Sequence, residues 1–140
     1  TEAIFGCRLH GDEGGPWLRT GDLGRVVEGF LYPTGRLKDL VIWRGQNLYP
    51  QDIEYVVDSA HEALRPGGSA AFAVEVEDGS EGLGVVAEVR RAAMSSSDLL
   101  DEIVRSVRTA VGAEFGVPIV ELSLIAPRKL LKTTSGKVIF

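Results

Sequence analysis

A chain of 140 residues with 44% hydrophobic and 25% charged content has the make-up of an ordinary globular protein. At that length it can bury roughly 68–70% of its unfolded surface, so no disulfide or metal staple is needed to hold it. The single cysteine, Cys7, excludes an intramolecular disulfide and agrees with a reducing compartment, while a net charge of -5 argues against a nucleic-acid or anionic-membrane surface.

No apolar run approaches the ~20 residues of a membrane span, and no basic-then-apolar leader opens the chain, so the sequence reads as cytoplasmic. It starts at Thr1 and its one methionine is Met94, which reads as a piece of a longer protein. Residues up to Pro16 carry little pattern, with Gly11, Gly14, Gly15 and Pro16 marking a loop. Cys7 and His10 share a ligand-like gap, but a metal site needs at least three protein ligands and nothing nearby completes one. Trp17 to Thr20 is a short extended run. Gly24 to Val27 and Phe30 to Pro33 are predicted strands around Glu28-Gly29, a two-residue turn ending in glycine. This first third is too small to bury a core alone, so its apolar faces are expected to lie against a partner absent from the chain.

Thr34 to Glu54 organises the rest. Arg36 follows a glycine, Lys38-Asp39 makes a charged junction, Leu40 to Trp43 reads as a short buried strand, and a glycine turn leads to a helix opened by Pro50. Proline suits that place because its missing N–H would have had no intrahelical acceptor. Ile53, Val56, Val57 and Ala60 share one helical face, and the helix is expected to run to about Leu64, where Arg65-Pro66-Gly67-Gly68 stops the pattern.

Ser69 to Glu77 alternates, with Phe72, Val74 and Val76 on one side and Glu75 and Glu77 on the other. Leu83 to Arg90 alternates again, with Leu83, Val85, Ala87 and Val89 inward, and the glycine-rich Asp78 to Gly82 joins the two as a hairpin. Ser95 to Ser97 offers caps for a second helix, and Asp98 and Asp101 place negative charge in its first turn, where the helix dipole favours it. Its stripe of Leu100, Ile103, Val104, Val107 and Val111 leads to Phe115-Gly116, and a last strand, Ile119 to Ala126, ends at Pro127. From Leu40 the order is strand, helix, strand, strand, helix, strand. That predicts an α+β fold, a small mixed β-sheet packed with helices, preceded by a short β-hairpin.

Two glycine patterns invite a phosphate reading. Gly82-x-Gly84-x-x-Ala87 loosely matches a dinucleotide fingerprint, but it lies inside an alternating strand and opens no helix. In Leu131 to Val138 a Walker loop would need glycine at Leu131 and Ser or Thr at Val138, and has neither. What remains there is a hydroxyl-rich, mobile segment presenting Lys137, a point charge able to reach a phosphate or carboxylate oxygen. By its local sequence alone the same segment also reads as a solvated tail.

Taken together, Leu18-Arg19-Thr20-Gly21-Asp22-Leu23-Gly24, Gly35-Arg36-Leu37-Lys38-Asp39 and Lys132-Thr133-Thr134-Ser135-Gly136-Lys137 resemble, in order and separation, the C-terminal signatures of the adenylate-forming superfamily. That superfamily comprises acyl-CoA synthetases, luciferases and peptide-synthetase adenylation domains. Within it, Gly15-Pro16-Trp17-Leu18-Arg19-Thr20-Gly21-Asp22-Leu23-Gly24 and Gly35-Arg36-Leu37-Lys38-Asp39-Leu40-Val41-Ile42, followed by Arg44-Gly45-Gln46-Asn47-Leu48-Tyr49-Pro50-Gln51-Asp52-Ile53-Glu54, look most like the fatty acyl-AMP ligases. Those enzymes activate a fatty acid with ATP and pass it to a carrier protein rather than to coenzyme A. The chain differs at Leu48, where they often carry histidine.

The resemblance implies a domain plan and residue roles. Residues 1–37 would be the tail of a large N-terminal domain, and 38–140 a mobile lid domain hinged at Lys38, which turns between adenylation and transfer; a hinge residue need not be glycine. Asp22 would accept hydrogen bonds from the ribose hydroxyls of ATP, a carboxylate being acceptor-only, and Arg36 would lie near the ribose and phosphate. Lys137 would be the catalytic cation reaching the substrate carboxylate and α-phosphate. Arg44, Gly45, Gln46 and Asn47 would border the tunnel of the thiol acceptor, with Gly45 permitting close backbone approach. The implied cofactor is ATP with Mg2+, bound mainly by the missing N-terminal domain, with no metal ligand in this chain. The implied partners are that domain, a fatty acid, and a phosphopantetheinylated acyl carrier protein or a polyketide or peptide synthase. By itself the fragment is expected to be inactive. A coenzyme A ligase of the same superfamily and a non-catalytic module that docks a carrier protein remain as alternatives.

Overall fold

The computed structural model describes residues 2–8, 10–11, 13–77 and 79–131. The chain divides into two units, Thr1–Asp39 and Leu40–Phe140.

The first unit holds a single helical turn, α1 (Glu2–Phe5), the antiparallel strands β1 (Asp22–Val27) and β2 (Phe30–Arg36), and a 3-10 turn at Leu37–Asp39. Glu28 and Gly29 form the hairpin turn with φ of 52° and 82°, the mirror-image geometry whose twist matches that of the flanking strands. Both strands outrun the alternating pattern, reaching back to Asp22 and on to Arg36, with a bulge between Leu23 and Gly24 absorbing the mismatch. The expected run at Trp17 to Thr20 contributes one isolated bridge, Trp17 to Cys7, and the helical turn at the start lay in a stretch without pattern. None of this unit's described side chains is buried; Val26, Phe30, Leu31 and Tyr32 are all more than half exposed.

The second unit contains β3 (Val41–Trp43), β4 (Gln46–Leu48), α2 (Pro50–Ser59), β5 (Leu64–Glu75), β6 (Glu81–Val89), a 3-10 turn at Arg91–Ser95, α3 (Ser97–Phe115) and β7 (Ile119–Ile125). Its main sheet has the order β5-β6-β7, with β6 antiparallel to β5 and parallel to β7. The parallel pair needs a long crossover, and α3 supplies it. Leu83, Val85, Ala87 and Val89 of β6 share one cluster with Ile53 and Val57 of α2, Ile103, Val107 and Val111 of α3, and Val41 and Leu48 of the β3–β4 hairpin. Each valine, leucine or isoleucine among them taken out of water contributes about 1.5–3 kcal/mol, which is why the two helical stripes decide where the helices lie.

Three local expectations are corrected. Helix α2 ends at Ser59 rather than near Leu64, and the stop signal Arg65-Pro66-Gly67-Gly68 sits inside β5 as an irregularity, between the pairs Leu64–Val89 and Ser69–Ala87. The turn expected between Trp43 and Pro50 contains strand β4; its lone apolar residue, Leu48, gives no alternation to detect, and it exists because it pairs with β3. Finally, β6 is buried on both faces save at Glu81 and Val86, as a central strand between two neighbours should be. Its glycines serve that packing. A Cβ on Gly84 would come 2.6 Å from the Phe72 ring, and one on Gly82 would come 2.6 Å from Val120.

Helix α3 is bounded as its sequence demands. The Ser96 hydroxyl accepts the Leu99 N–H at 3.4 Å, and Gly116, with φ of 68°, closes the last turn. No helix among the described residues is long and apolar enough to cross a membrane.

Candidate functional site

The first group of candidate residues is set by the register of the β1–β2 hairpin. Asp22 and Arg36 are fourteen residues apart in sequence but are ladder partners, and Arg36 Nε donates to Asp22 Oδ1 at 3.0 Å. Thr20 Oγ1 accepts the Asp22 N–H at 3.1 Å, and Leu37 N–H donates to Gly21 O at 2.8 Å, closing the hairpin base beneath the pair. The two side chains are 48% and 43% exposed, so an arriving anion or hydroxyl can reach them. Asp22 Oδ2 and the remaining guanidinium N–H groups have no partner among the described residues. A carboxylate that only accepts, beside a planar cation that only donates, suits a ligand with both hydroxyl and phosphate groups.

Lys38 lies in the exposed 3-10 turn Leu37–Asp39 that ends the first unit. The second group, Arg44 to Asn47, is in the second unit. Arg44 and Gly45 are the two central residues of the β3–β4 turn, with φ of 47° and 82°, and nothing lies within 4 Å of where a Gly45 Cβ would point. The Arg44 guanidinium carbon sits 5.1 Å from the centroid of the Trp43 ring, holding a cation at the hairpin tip. The hairpin is also tied to the main sheet: the Ile42 N–H donates to Glu81 Oε2, on β6, at 3.0 Å. Lys137 lies outside the described residues. Among the described residues no three His, Cys, Asp or Glu side chains cluster as metal ligands.

One charged residue escaped the sequence reading. Glu88, on the central strand, is 3% exposed, with Leu130 N–H donating to its Oε1 at 2.9 Å and Arg65 paired to its Oε2. Burial alone would raise its pKa, but the N–H groups of Leu130 and Arg128, the Arg65 charge and the Lys129 N–H together hold it below the ordinary glutamate value. Its place in the apolar run Val85-Val86-Ala87-Glu88-Val89 was the available signal, since so continuous a run marks a strand covered on both faces, where a charge must have partners.

No protein-family model matches the chain. It is 43% identical over 138 residues to the medium-chain-fatty-acid–[acyl-carrier-protein] ligase JamA of Moorena producens, an alignment covering 99% of this chain and 23% of that protein. It is 37% identical to the long-chain-fatty-acid–AMP ligase FadD28 of Mycobacterium tuberculosis, covering 99% of this chain and 24% of the relative. The chain thus spans about a quarter of the length of these curated relatives. Among solved structures, McyG A-PCP complexed with phenylalanyl-adenylate superposes with a TM-score of 0.76 at 27% identity, over 98% of this chain and 20% of that one. A fatty acyl-adenylate ligase structure from work on the E. coli and L. pneumophila enzymes superposes with a TM-score of 0.71 at 35% identity, over 86% of this chain and 20% of that one. In both sequence and fold, the chain is homologous to fatty acyl-AMP ligases and peptide-synthetase adenylation domains, and it matches a C-terminal domain of the adenylate-forming superfamily.

Proposed function

We propose that the chain is the C-terminal part of an ATP-dependent ligase that converts a fatty acid to its acyl-adenylate and passes the acyl group to the phosphopantetheine thiol of a carrier protein in the cytoplasm. The observation that carries this reading is the 43% identity, along 99% of this chain, to a ligase named for a fatty acid and an acyl carrier protein.

In this reading the Asp22–Arg36 pair addresses the nucleotide: the outer carboxylate oxygen takes ribose hydroxyls and the guanidinium faces ribose and phosphate oxygens. ATP supplies the AMP that activates the carboxylate, and Mg2+ accompanies its phosphates on the preceding domain rather than on ligands from this chain. Lys38 is the pivot, and the exposed Val26, Phe30, Leu31 and Tyr32 are assigned to contact with that preceding domain. Arg44 to Asn47 border the approach of the acceptor thiol. Lys137 places a cation where substrate carboxylate and α-phosphate, both anionic, must approach; one preorganised donor of that kind contributes about 10²–10³ in rate.

The test uses the full-length protein. Fatty-acid-dependent ATP–pyrophosphate exchange is expected, followed by acyl transfer to a phosphopantetheinylated carrier; absence of exchange with any fatty acid overturns the reading. Lys137→Ala is expected to slow adenylation by at least about 10²-fold while transfer from supplied acyl-adenylate largely survives. Equal losses in both half-reactions would remove Lys137 from its assigned role. A second reading, transfer to coenzyme A, is favoured by relatives named as fatty-acid–CoA ligases, one from Mycobacterium leprae at 37% identity. Faster transfer to coenzyme A than to the carrier would select it.

A further inference from the structure

At one edge of the main sheet β5 begins and both β6 and β7 end, since the outermost pairs there are Leu64 with Val89 and Glu88 with Ile125. Arg65 follows Leu64, Arg90 and Arg91 follow Val89, and Arg128 comes shortly after Ile125, so the register gathers arginines that lie far apart in sequence. With Pro66 and Pro127 they line an open cleft of about 510 Å³. The two prolines stiffen its walls by fixing their own φ. The Arg90 N–H donates to Ala63 O at 2.8 Å and the Arg90 carbonyl accepts the Ala93 N–H at 2.9 Å, which holds the turn bearing Arg90 and Arg91 against the start of β5.

Four of the six lining residues are thus arginine, in a chain where 20 acidic residues outnumber 15 basic ones. Of the four, Arg65 is paired with the buried Glu88; Arg90, Arg91 and Arg128 are exposed and have no ion-pair partner among the described residues, and no carboxylate among those residues lines the cleft. Like charges gathered in this way repel one another until an anion joins them. The cleft has the volume of a small-ligand site, but a lining of guanidinium groups has the wrong chemistry for an acyl chain. Guanidinium forks match phosphate oxygens in pairs. Three of them bring more N–H donors than a single phosphoryl group can accept, whereas two adjoining phosphoryl groups supply both the oxygens and the charge.

We propose that the cleft of Arg65, Arg90, Arg91 and Arg128 binds a diphosphate group, with Arg90, Arg91 and Arg128 donating to its oxygens and Arg65, fixed by Glu88, forming a wall. Pyrophosphate and coenzyme A both carry that group. The site lies in the second unit, goes beyond the nucleotide role given to Asp22 and Arg36, and stands or falls without it.

The test titrates inorganic pyrophosphate into the 140-residue chain, whose second unit has its own core, while the arginine Nε–H resonances are followed by NMR. Arg90, Arg91 and Arg128 are expected to shift along one saturable curve while Arg105, on α3, stays still; inorganic phosphate should bind at least about 10-fold more weakly. Arg90→Gln with Arg91→Gln should weaken pyrophosphate by about 10- to 100-fold and leave the urea midpoint in place, both side chains being exposed. Arg90→Lys with Arg91→Lys keeps the charge but loses the forks, and should fall between that variant and wild type. The resonances of the unaltered chain test the site even where a variant fails to fold. Equal binding of phosphate and pyrophosphate, lysine variants that bind like wild type, or shifts that take in Arg105 equally would reduce the cleft to unspecific charge and overturn the proposal. A parallel titration with coenzyme A separates the sources: tighter pyrophosphate assigns the site to the product of adenylation, tighter coenzyme A to the acceptor, and either supports a diphosphate site. Absence of fatty-acid-dependent exchange in the full-length protein would overturn the proposed function and leave this binding untouched.

Discussion

At the scale of single residues, magnitude separates function from stability in the Asp22–Arg36 pair. An ion pair this exposed contributes between about 0 and 1 kcal/mol, so the fold has little need of it. A hydrogen bond from a ligand to a charged group is worth about 1.5–3 kcal/mol, which is roughly 10- to 100-fold in binding. On the nucleotide role proposed for Asp22, Asp22→Asn should raise KM for ATP in the full-length protein within that range while moving the urea midpoint of the chain very little. A large stability loss with unchanged KM would reverse the assignment. Glu88 presents the opposite case. Its folded pKa lies below its unfolded one, so its contribution is complete above the unfolded value, and drains away as pH falls through the folded value. Urea midpoints should fall more steeply for wild type than for Glu88→Gln between about pH 5 and pH 3, and parallel curves would refute the linkage.

At the scale of elements, the strands of the main sheet and both long helices were legible because burial of one face imposes a period of 2.0 or 3.6, which Phe72 to Val76 and Leu100 to Val111 keep, and because the continuous apolar run of Leu83 to Val89 marks a strand covered on both faces. What escaped was structure that tertiary contact creates: β4, which has one apolar residue, and the part of β5 from Leu64 to Gly68, where punctuation residues are absorbed as a bulge. The candidate site was drawn from three short motifs, of which the structure describes the first two and brings Asp22 and Arg36 together. Glu88 did not show itself because, in a strand read as one-sided, a glutamate looks like an ordinary outward residue. Two substitutions follow from these elements. Gly84→Ala would drive a methyl into the Phe72 ring and should cost about 1–3 kcal/mol by urea unfolding; a neutral result would mean that Phe72 yields freely. Arg44→Asn relieves the strain of an arginine in left-handed geometry, worth about 1 kcal/mol, but gives up the contact with Trp43, worth about 0.5–1 kcal/mol. The two terms nearly cancel, so stability should hardly move. Slower acyl transfer in the full-length variant would then report on the side chain itself.

At the scale of the whole molecule, the two units differ in what holds them. The second has a shared apolar cluster drawn from β3 to β7 and both long helices; the first has a two-stranded hairpin with exposed faces, and such a hairpin is marginal in water. Native-state hydrogen exchange on the chain should find the slowest amides on β6 and α3 and near-unprotected amides across Asp22–Arg36. Protection of that hairpin equal to β6 would show that it is stabilised by more than its own ladder.

The tie from Ile42 to Glu81 differs in kind from the bonds around it. A ladder bond is made of main chain, and no change of side chain deletes it; this one ends in a carboxylate, so a single codon can shorten, neutralise or abolish it. Aspartate there would fall one methylene short, and alanine would remove this tie while leaving both strands whole and Val41 and Leu48 in the shared apolar cluster. The firmness with which the Arg44–Gly45 tip is held is thus a heritable setting, open to adjustment without redesigning the fold that carries it.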